Sequence, residues 1–307
     1  MPGMCKSAYY YYTIGGSKGK KVFKVDNRNS INNNVDILLD KLKKDSVSYK
    51  NLETCNLSIK EKKKVIRSLM NIRMPGRIPD GFLSVQDSYL QEELAIKGIV
   101  SLDDIPVVRE QYKSNIPYAE KISLWQGDIT RLRTGAIVNA ANSQMLGCFV
   151  PCHACIDNAV HSAAGIQLRE ECNKIMEERR KQNGRQYQEQ TGTAVLTQAY
   201  NLPCSHVIHT VGPIVYGDLD EKLCQDLSNC YRSVLECCIT NGIKSVAFCC
   251  ISTGEFHFPN DKAAEIALET VISFLDMQGS DIDRVVFNVF KDSDKAIYEK
   301  LITAKSQ

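Results

Sequence analysis

From about residue 120 onward, short apolar runs alternate with longer stretches in which apolar residues recur every three or four positions. The longer stretches, near 157–182, 220–241, 260–277 and 293–304, predict helices. The short runs predict strands, namely ISLWQ, AIVNAA, TAVLTQAY, HVIHTV, SVAFCCIS and RVVFNVF. Because the runs are apolar almost throughout, we expect an α/β/α sandwich, in which helices cover both faces of a largely parallel sheet.

The first third of the chain has a different pattern. Residues 1–34 are polar, with a tyrosine run and many asparagines, and this composition predicts a disordered tail. Residues 35–118 show helical spacing and predict a small N-terminal extension, followed by the α/β domain over 119–307. We interpret the extension as a cap packed on the larger domain, and the alternative is a surface that recruits a modified carrier protein.

Three signals delimit the helices of the extension. Ser58 and Glu61 form a capping-box pattern at the start of one helix, and Gly98 closes another. An apolar stripe marks the first predicted helix and consists of Val35, Leu38, Leu39 and Leu42.

The bulk composition excludes several classes of protein. A net charge of +2 gives no strong field, so neither nucleic acid nor a membrane is expected as a partner. No apolar run approaches the roughly 18 residues that span a bilayer, and the first residues lack the apolar core of a secretory signal. The 13 cysteines, several in apolar periodic segments, indicate buried thiols in a reducing compartment. We therefore expect a cytoplasmic protein.

Polar residues follow two of the predicted strands, and in such sheets ligands bind at the carboxyl ends of the strands. The carboxylate of Asp128 suits an exocyclic amine or a ribose hydroxyl, or it caps a turn. The amides of Asn139 and Asn142 suit vicinal sugar hydroxyls, or they form a turn.

A third strand end carries the sequence CISTGEFHFPN. Here Ser252, Thr253 and Gly254 lie between a strand and a helix that begins near Asn260. Backbone N–H groups next to a helix start form a cradle for anions, so this loop is suited to a phosphate or diphosphate.

The stretch GCFVPCHACIDNAVH, residues 147–161, holds three cysteines, two histidines and one aspartate. These are the residues that bind metals and transfer protons. Either a metal site lies beside an active site here, or this is a reduced, buried turn that is rich in cysteine.

Taken together, these loops resemble the macrodomain, a module that binds ADP-ribose. The motifs GDIT, AIVNAAN, AVHSAAG, HVIHTVGP and ISTGEFHFP occur in the order and spacing of that family, over roughly residues 120–305. The resemblance implies a three-layer α/β/α sandwich with a mixed six-stranded sheet.

The stretch 147–161 departs from the common macrodomain pattern, because CHACIDNAVHSAAG stands where ordinary members have a glycine run. This resembles the zinc-dependent macrodomains, which are protein-ADP-ribose hydrolases with an N-terminal helical extension. The resemblance implies Zn²⁺ as cofactor, with Cys148, His153 and Cys155 as ligands, and leaves the role of Cys152 open. Three ligands leave one position free, as in catalytic zinc sites.

The resemblance also implies roles for other residues. Asp157 and Asn142 are the candidate catalytic residues, with Asp157 orienting or deprotonating water and Glu255 as a weaker second candidate. The predicted substrate-binding residues, from adenine to distal ribose, are Phe290, Asp128, Ile129, Ser252, Thr253, Gly254, Glu255, Phe256, Asn139 and Asn142. We expect His161, His206 and His209 to be packing residues, and His257 to lie near the diphosphate without binding metal.

The implied reaction removes mono-ADP-ribose from a modified protein. An ester at aspartate or glutamate is the expected linkage, because a carboxylate leaves more easily than an amine or an alkoxide. One alternative is a module that binds ADP-ribose marks without cleaving them. Another is a hydrolase of a small ADP-ribose derivative.

Overall fold

The computed structural model describes residues 27–278 and 281–304. Residues 1–26 of the predicted tail lie outside this part of the chain. Within it the helices are α1 (Asn27–Asp45), α2 (Ile59–Ile72), α3 (Phe82–Lys97), α4 (Val108–Tyr112), α5 (Ile156–Ala164), α6 (Ile166–Asn183), α7 (Glu221–Thr240), α8 (Asn260–Gln278) and α9 (Asp292–Ala304). The first three form the N-terminal helical unit, and the others belong to the α/β domain.

All six predicted strands are present and form one mixed sheet. The described strands are β1 (Val100–Ser101), β2 (Ile122–Gln126), β3 (Leu132–Arg133), β4 (Ala136–Ala141), β5 (Ala194–Gln198), β6 (His206–Val211), β7 (Ser245–Phe248) and β8 (Arg284–Val289). The sheet order is β2-β8-β7-β4-β6-β5, and every pairing is parallel except that of β5 with β6. The predicted three-layer fold is therefore confirmed. The carboxyl ends of β4, β6 and β7, where the candidate loops begin, lie at one edge.

Two predicted helices differ from the structure. The helix predicted over 157–182 is broken at Gly165, whose φ of +97° is unfavourable for a residue with a side chain. A Cβ on Gly165 would also lie 2.6 Å from the amide of Gln86, so α3 can approach closely only at a glycine. The first helix starts at Asn27, so residues 27–34, which we predicted to be disordered, are helical. Elongating an existing helix adds one hydrogen bond per residue, and the stripe from Val35 onward already anchors α1.

The N-terminal unit and the α/β domain have separate hydrophobic clusters. The four residues of the α1 stripe are buried against Ile66, Leu69 and Met70 of α2 and Phe82 of α3, together with Ile166 at the start of α6. The capping box of Ser58 and Glu61 is present at the start of α2, as predicted. A helical unit with its own core can hold α2 rigidly against the larger domain.

The segment after Gly98 packs on the α/β domain. Strand β1 pairs with β3, and Ile105, Val108 and Ile116 lie in the main core together with the sheet residues. Neither this small ladder nor α4 was predicted, because two-residue strands and five-residue helices leave no measurable periodicity.

Two expectations from composition, that the cysteines are thiols and that no segment spans a bilayer, can be compared with the described residues. All 12 cysteines in this part of the chain are free thiols. No helix within 27–278 or 281–304 is both long and apolar enough to cross a bilayer. The cytoplasmic location stays a prediction.

His209 of β6 is completely buried in the sheet, as the prediction of a core histidine requires. Its Nδ1 lies 3.1 Å from the amide nitrogen of Asn139, which is a donor, so Nδ1 accepts and the proton is on Nε2. Nε2 lies 3.0 Å from the hydroxyl of Thr197. Burial lowers the pKa of His209 to about 3, because a second proton would face the Asn139 amide without solvent.

We expect His209 to make the fold sensitive to acid. The unfolded chain binds a proton near pH 6.5, whereas the folded protein does so only near pH 3. The contribution of His209 to the free energy of unfolding is therefore fully present above pH 6.5 and is lost as the pH falls towards 3. At pH 5 the loss is about 2 kcal/mol. Urea denaturation at pH 7 and pH 5 should show this loss in the wild type and a smaller one in His209→Gln. Equal losses in both proteins would contradict it.

Candidate functional site

Two loops face each other at the carboxyl edge of the sheet. The cysteine loop (residues 147–155) lies between β4 and α5, and the STG loop (residues 252–258) lies between β7 and α8. They meet where Nε2 of His153 lies 3.5 Å from a carboxylate oxygen of Glu255. Both carry residues predicted from the sequence to bind a ligand.

Cys148, His153 and Cys155 converge within the cysteine loop. Their ligand atoms all lie within 4.8 Å of one another, and Sγ of Cys148 lies 3.5 Å from Nδ1 of His153. Cys155 is also the N-cap of α5, where its sulfur accepts from the amide of Asn158 at 3.4 Å. Burial, with a smaller contribution from Cys148, raises the pKa of the Cys155 thiol to about 12. The side chains that the family pattern implies as ligands thus lie together.

Cys152 points away from that group. Its backbone has a left-handed φ of +52°, which turns the side chain towards α2. The thiol donates to the carbonyl of Lys64 at 3.4 Å and lies 3.2 Å from the hydroxyl of Ser68. The thiol of Cys152 is thus directed to α2 rather than to the other three side chains.

A second group of possible metal ligands lies deeper, at His161, Cys172 and His209. All three side chains are buried, and both nitrogens of His209 already have hydrogen-bond partners in Asn139 and Thr197. A metal there would have to displace these bonds without access from solvent. The half-buried group in the cysteine loop has no such obstacle.

Asp157 lies in the first turn of α5 and is 5% exposed. One carboxylate oxygen accepts from the amide of Asn139 at 2.8 Å, and the other accepts from Asn142 at 3.4 Å. Burial raises the pKa of Asp157 to about 6, while the bond from Asn139 and the charge of Arg169 act in the opposite direction. The two candidate catalytic residues, Asp157 and Asn142, are therefore in direct contact.

His161 completes this buried group. Its Nε2 lies 3.5 Å from Asp157, but neither ring nitrogen makes a hydrogen bond within the described chain. Burial, then the proximity of His209 and Arg169, lowers the pKa of His161 well below its ordinary value. His161 is therefore neutral, and it packs rather than forming an ion pair.

The STG loop presents unpaired backbone amides. The N–H groups of Ser252, Gly254, Glu255 and Phe256 donate to no acceptor within residues 27–278 and 281–304. The loop's carbonyls, in contrast, are used: that of Phe256 accepts from Val215, and that of Ser252 accepts from Phe258. A Cβ on Gly254 would meet nothing within 4 Å, so this side of the loop is open. Free amides on an open loop are suited to an anion.

Left-handed backbone is concentrated in the loops around this edge. The described chain has seven non-glycine residues with positive φ, and four of them are Met145, Cys152, Ser252 and His257. Such conformations cost about 1–3 kcal/mol each and cluster at functional sites. These conformations could not be predicted from residue type, since none of the four is the glycine or asparagine that usually adopts this backbone.

The residues predicted to contact adenine lie at the neighbouring ends of β2 and β8. Asp128 caps a short 3₁₀ turn by accepting from the amide and hydroxyl of Thr130, and its other oxygen lies 3.5 Å from Lys97. Phe290 is 76% exposed and leaves a free aromatic face. The side chain of Ile129 is buried in the core, so only its backbone is available to a ligand.

Sequence reasoning missed Arg169 of α6, which is 5% exposed. Its guanidinium donates to the carbonyls of Leu146, Met70 and Arg73, and it stacks on the ring of Phe149 at 4.4 Å. One arginine thus ties the end of α2 to the beginning of the cysteine loop. Arginine is common on exposed helix faces, and no local signal distinguishes this one.

This geometry defines a class of protein, namely an α/β/α domain with a ligand site at the strand ends. A family model described as Macro domain matches residues 138–267. The chain is 46% identical over 243 residues to a protein-ADP-ribose hydrolase of Treponema medium, over 79% of this chain and 88% of the relative. It is 42% identical over 235 residues to the Staphylococcus aureus (strain MRSA252) protein of the same name, covering 76% and 82%. The chain belongs to the macrodomain family, as the resemblance predicted.

The fold is also similar to solved macrodomain structures. The Trypanosoma brucei macrodomain, solved in complex with ADP-ribose, has a TM-score of 0.58 and 29% sequence identity. The similarity covers 76% of this chain and 94% of the T. brucei chain.

The structure makes Gly147 essential for the shape of the cysteine loop. Its φ is +79°, and a Cβ there would lie 2.8 Å from Cγ of the buried His161. We expect Gly147→Ala to lower the free energy of unfolding by about 1–3 kcal/mol in urea denaturation. Gly217→Ala is the control, because a Cβ there meets open space. Equal stability of the two variants would contradict this account.

Proposed function

We propose that this protein is a hydrolase that removes ADP-ribose from modified protein side chains, with a zinc ion held by Cys148, His153 and Cys155. The observation that carries the proposal is the position of these three residues. Their ligand atoms lie within 4.8 Å of one another on the loop that leads directly to Asp157. The relatives named protein-ADP-ribose hydrolases support the activity class.

The proposed ligand lies along the carboxyl edge of the sheet. Adenine would lie between Asp128 and the exposed ring of Phe290, and the diphosphate would accept from the free amides of the STG loop. The distal ribose would then lie between Phe256 and Asn142, close to Asp157. The free backbone amides of the STG loop support this placement of the ligand, because a diphosphate needs several hydrogen-bond donors.

The donor set fits zinc. Tetrahedral zinc bonded at about 2.3 Å to sulfur and about 2.0 Å to nitrogen brings these two atoms to about 3.5 Å apart. Cys148 and His153 already show that separation, at 3.5 Å. When bound, zinc would supply a Lewis acid for an oxygen of the distal ribose or of the leaving group.

The chain's own residues would orient the water and the sugar. Asn139 and Asn142 both donate to Asp157, which fixes the direction of its carboxylate. Asp157 would orient or deprotonate the attacking water, and Asn142 would hold the ribose on the same side. Asn139 and Asp157 are buried, whereas Asn142 is half-buried and can reach a bound ligand.

An ester to aspartate or glutamate is the proposed linkage. Cleavage of the bond at the anomeric carbon leaves a carboxylate in that case, and carboxylates are stable anions at neutral pH. Arginine or serine linkages leave much poorer leaving groups. An ester also has the least need of a general acid, because its leaving group is stable without a proton.

Zinc removal should abolish the reaction. Purified protein should release ADP-ribose from a peptide modified at glutamate, and chelation or Cys155→Ala should end the release with loss of bound zinc. Cys152→Ala is the matched control, because its thiol faces α2, and it should keep both zinc and activity. Full activity of a metal-free preparation would remove zinc from the proposal.

Asp157→Asn should separate catalysis from binding. We expect turnover to fall by about 10² to 10⁴-fold, which is typical for loss of a general base, while ADP-ribose affinity by calorimetry changes little. Substrates linked through glutamate, serine and arginine, together with small ADP-ribose esters, would be compared in the wild type. Binding without turnover of any of them would indicate a reader module. Cleavage of the small esters alone would indicate a metabolite hydrolase.

A further inference from the structure

Helix α2 of the N-terminal unit contacts the cysteine loop along its length. Arg67 donates through Nη2 to the carbonyl of His153 at 3.1 Å, and through Nε and Nη2 to the side-chain oxygen of Asn158 at 3.1 and 2.7 Å. Asn71, which is 1% exposed, accepts from the backbone amide of Cys152 at 2.9 Å. Side chains of one helix thus hold the backbone of a loop more than 80 residues away in sequence.

Asn158 extends these bonds to the other ligand residues. Its side-chain nitrogen donates to the carbonyls of Val150 at 3.0 Å and Cys148 at 3.5 Å. Its backbone amide donates to the sulfur of Cys155 at 3.4 Å. Because Arg67 fixes the oxygen of the same side chain, the three residues Cys148, His153 and Cys155 are all within two hydrogen bonds of α2.

The C-terminal end of α2 is fixed as well. Asn71 donates to the hydroxyl of Ser162 on α5 at 2.9 Å, and Arg169 of α6 donates to the carbonyls of Met70 and Arg73 at the end of α2. These carbonyls accept no hydrogen bond within the helix, and Arg169 supplies the donors that they would otherwise lack. Helix α2 is therefore a fixed element and not a mobile cap.

We infer that α2 shapes the proposed zinc-binding loop. Arg67 and Asn71 are positioning residues, which hold the ligand side chains in the arrangement that zinc binding requires. The inference rests on the proposed zinc site. The N-terminal unit would then have a role in metal binding. Neither of the two interpretations from the sequence, a cap on the larger domain or a surface that recruits a carrier protein, includes such a role. Partners behind the ligands of a metal site set ligand orientation, and their loss costs metal affinity.

The geometry of Arg67 is the specific part of this inference. A planar guanidinium can donate to His153 and Asn158 together, whereas the ammonium of a lysine is a point donor on a different stem. Two thiolates neutralise a divalent ion, so the charge of Arg67 alone has little net effect on zinc affinity. Arg67→Lys, which keeps the charge, should therefore resemble Arg67→Met and not the wild type.

The test uses the full chain and two readouts. Zinc affinity is measured by competition with a chromogenic chelator, and cobalt substitution gives the absorption bands of the thiolate-bound metal. Backbone hydrogen exchange of residues 148–155 is measured in the metal-free protein. Arg67→Met, Arg67→Lys and Asn71→Leu should lower zinc affinity by about 10 to 100-fold, shift the cobalt bands and speed exchange in the loop.

Arg73→Met is the matched control. Arg73 caps the same helix and makes half-buried ion pairs, at 2.7 Å to Asp45 and to Glu170, but its side chain touches no residue of the cysteine loop. This variant should lose thermal stability while zinc affinity and loop exchange stay unchanged. A similar loss of zinc affinity in Arg73→Met would show that general destabilisation, not positioning, is responsible.

The outcomes separate this inference from the proposed function. Wild-type protein that binds no zinc would refute the zinc site, and the exchange measurement, which needs no metal, would still decide whether α2 holds the loop. Zinc affinity and exchange within twofold of wild type in Arg67→Met, or full recovery in Arg67→Lys, would overturn the inference. If Arg67→Met does not fold, as judged by circular dichroism, Arg67→Lys and Asn71→Leu decide.

Discussion

The hydrogen bond from Asn139 to Asp157 is the contact on which the site depends. Asn139 lies in β4 and Asp157 in the first turn of α5, and the bond of 2.8 Å is completely buried. A buried carboxylate without donors is too costly to keep, so the start of α5 must remain at the end of β4. Cys155, two residues before Asp157, is positioned by the same bond. The structural anchor is thus also a residue with a proposed catalytic role.

The cysteine loop is then fixed from three directions. The sheet holds the chain just after the loop through Asp157, Arg169 holds the residue just before it, Leu146, and α2 holds its middle at Cys152 and His153. A loop of this length would ordinarily be mobile, since its backbone lacks a regular hydrogen-bond ladder. Here side chains from other elements replace the ladder, and the candidate ligand atoms lie within 4.8 Å of one another.

The fold was predictable because its signals are long and periodic. Each sheet strand is a short, mostly apolar run, and most of the helices that cover the sheet repeat their apolar residues over three or more turns. The break at Gly165 was not predictable, because it depends on how closely Gln86 of α3 approaches. The candidate ligands and Asp157 were identifiable from residue type and family pattern. Arg67 and Asn71 were not, because an arginine and an asparagine in an amphipathic helix look the same whether they face water or a loop distant in sequence.

The STG loop combines a rigid frame with an open centre. Ser252 and His257 hold left-handed backbone at its two ends, and Ser252 is packed so closely that Gly212 opposite it has no room for a side chain. Gly254 and Glu255, between them, are exposed. A side chain at Gly254 would therefore meet open space and leave the backbone amides of the loop in place, whereas a change at Glu255 would also remove its contact with His153. The shape of the loop backbone is therefore set by its two packed ends and not by the exposed side chains between them.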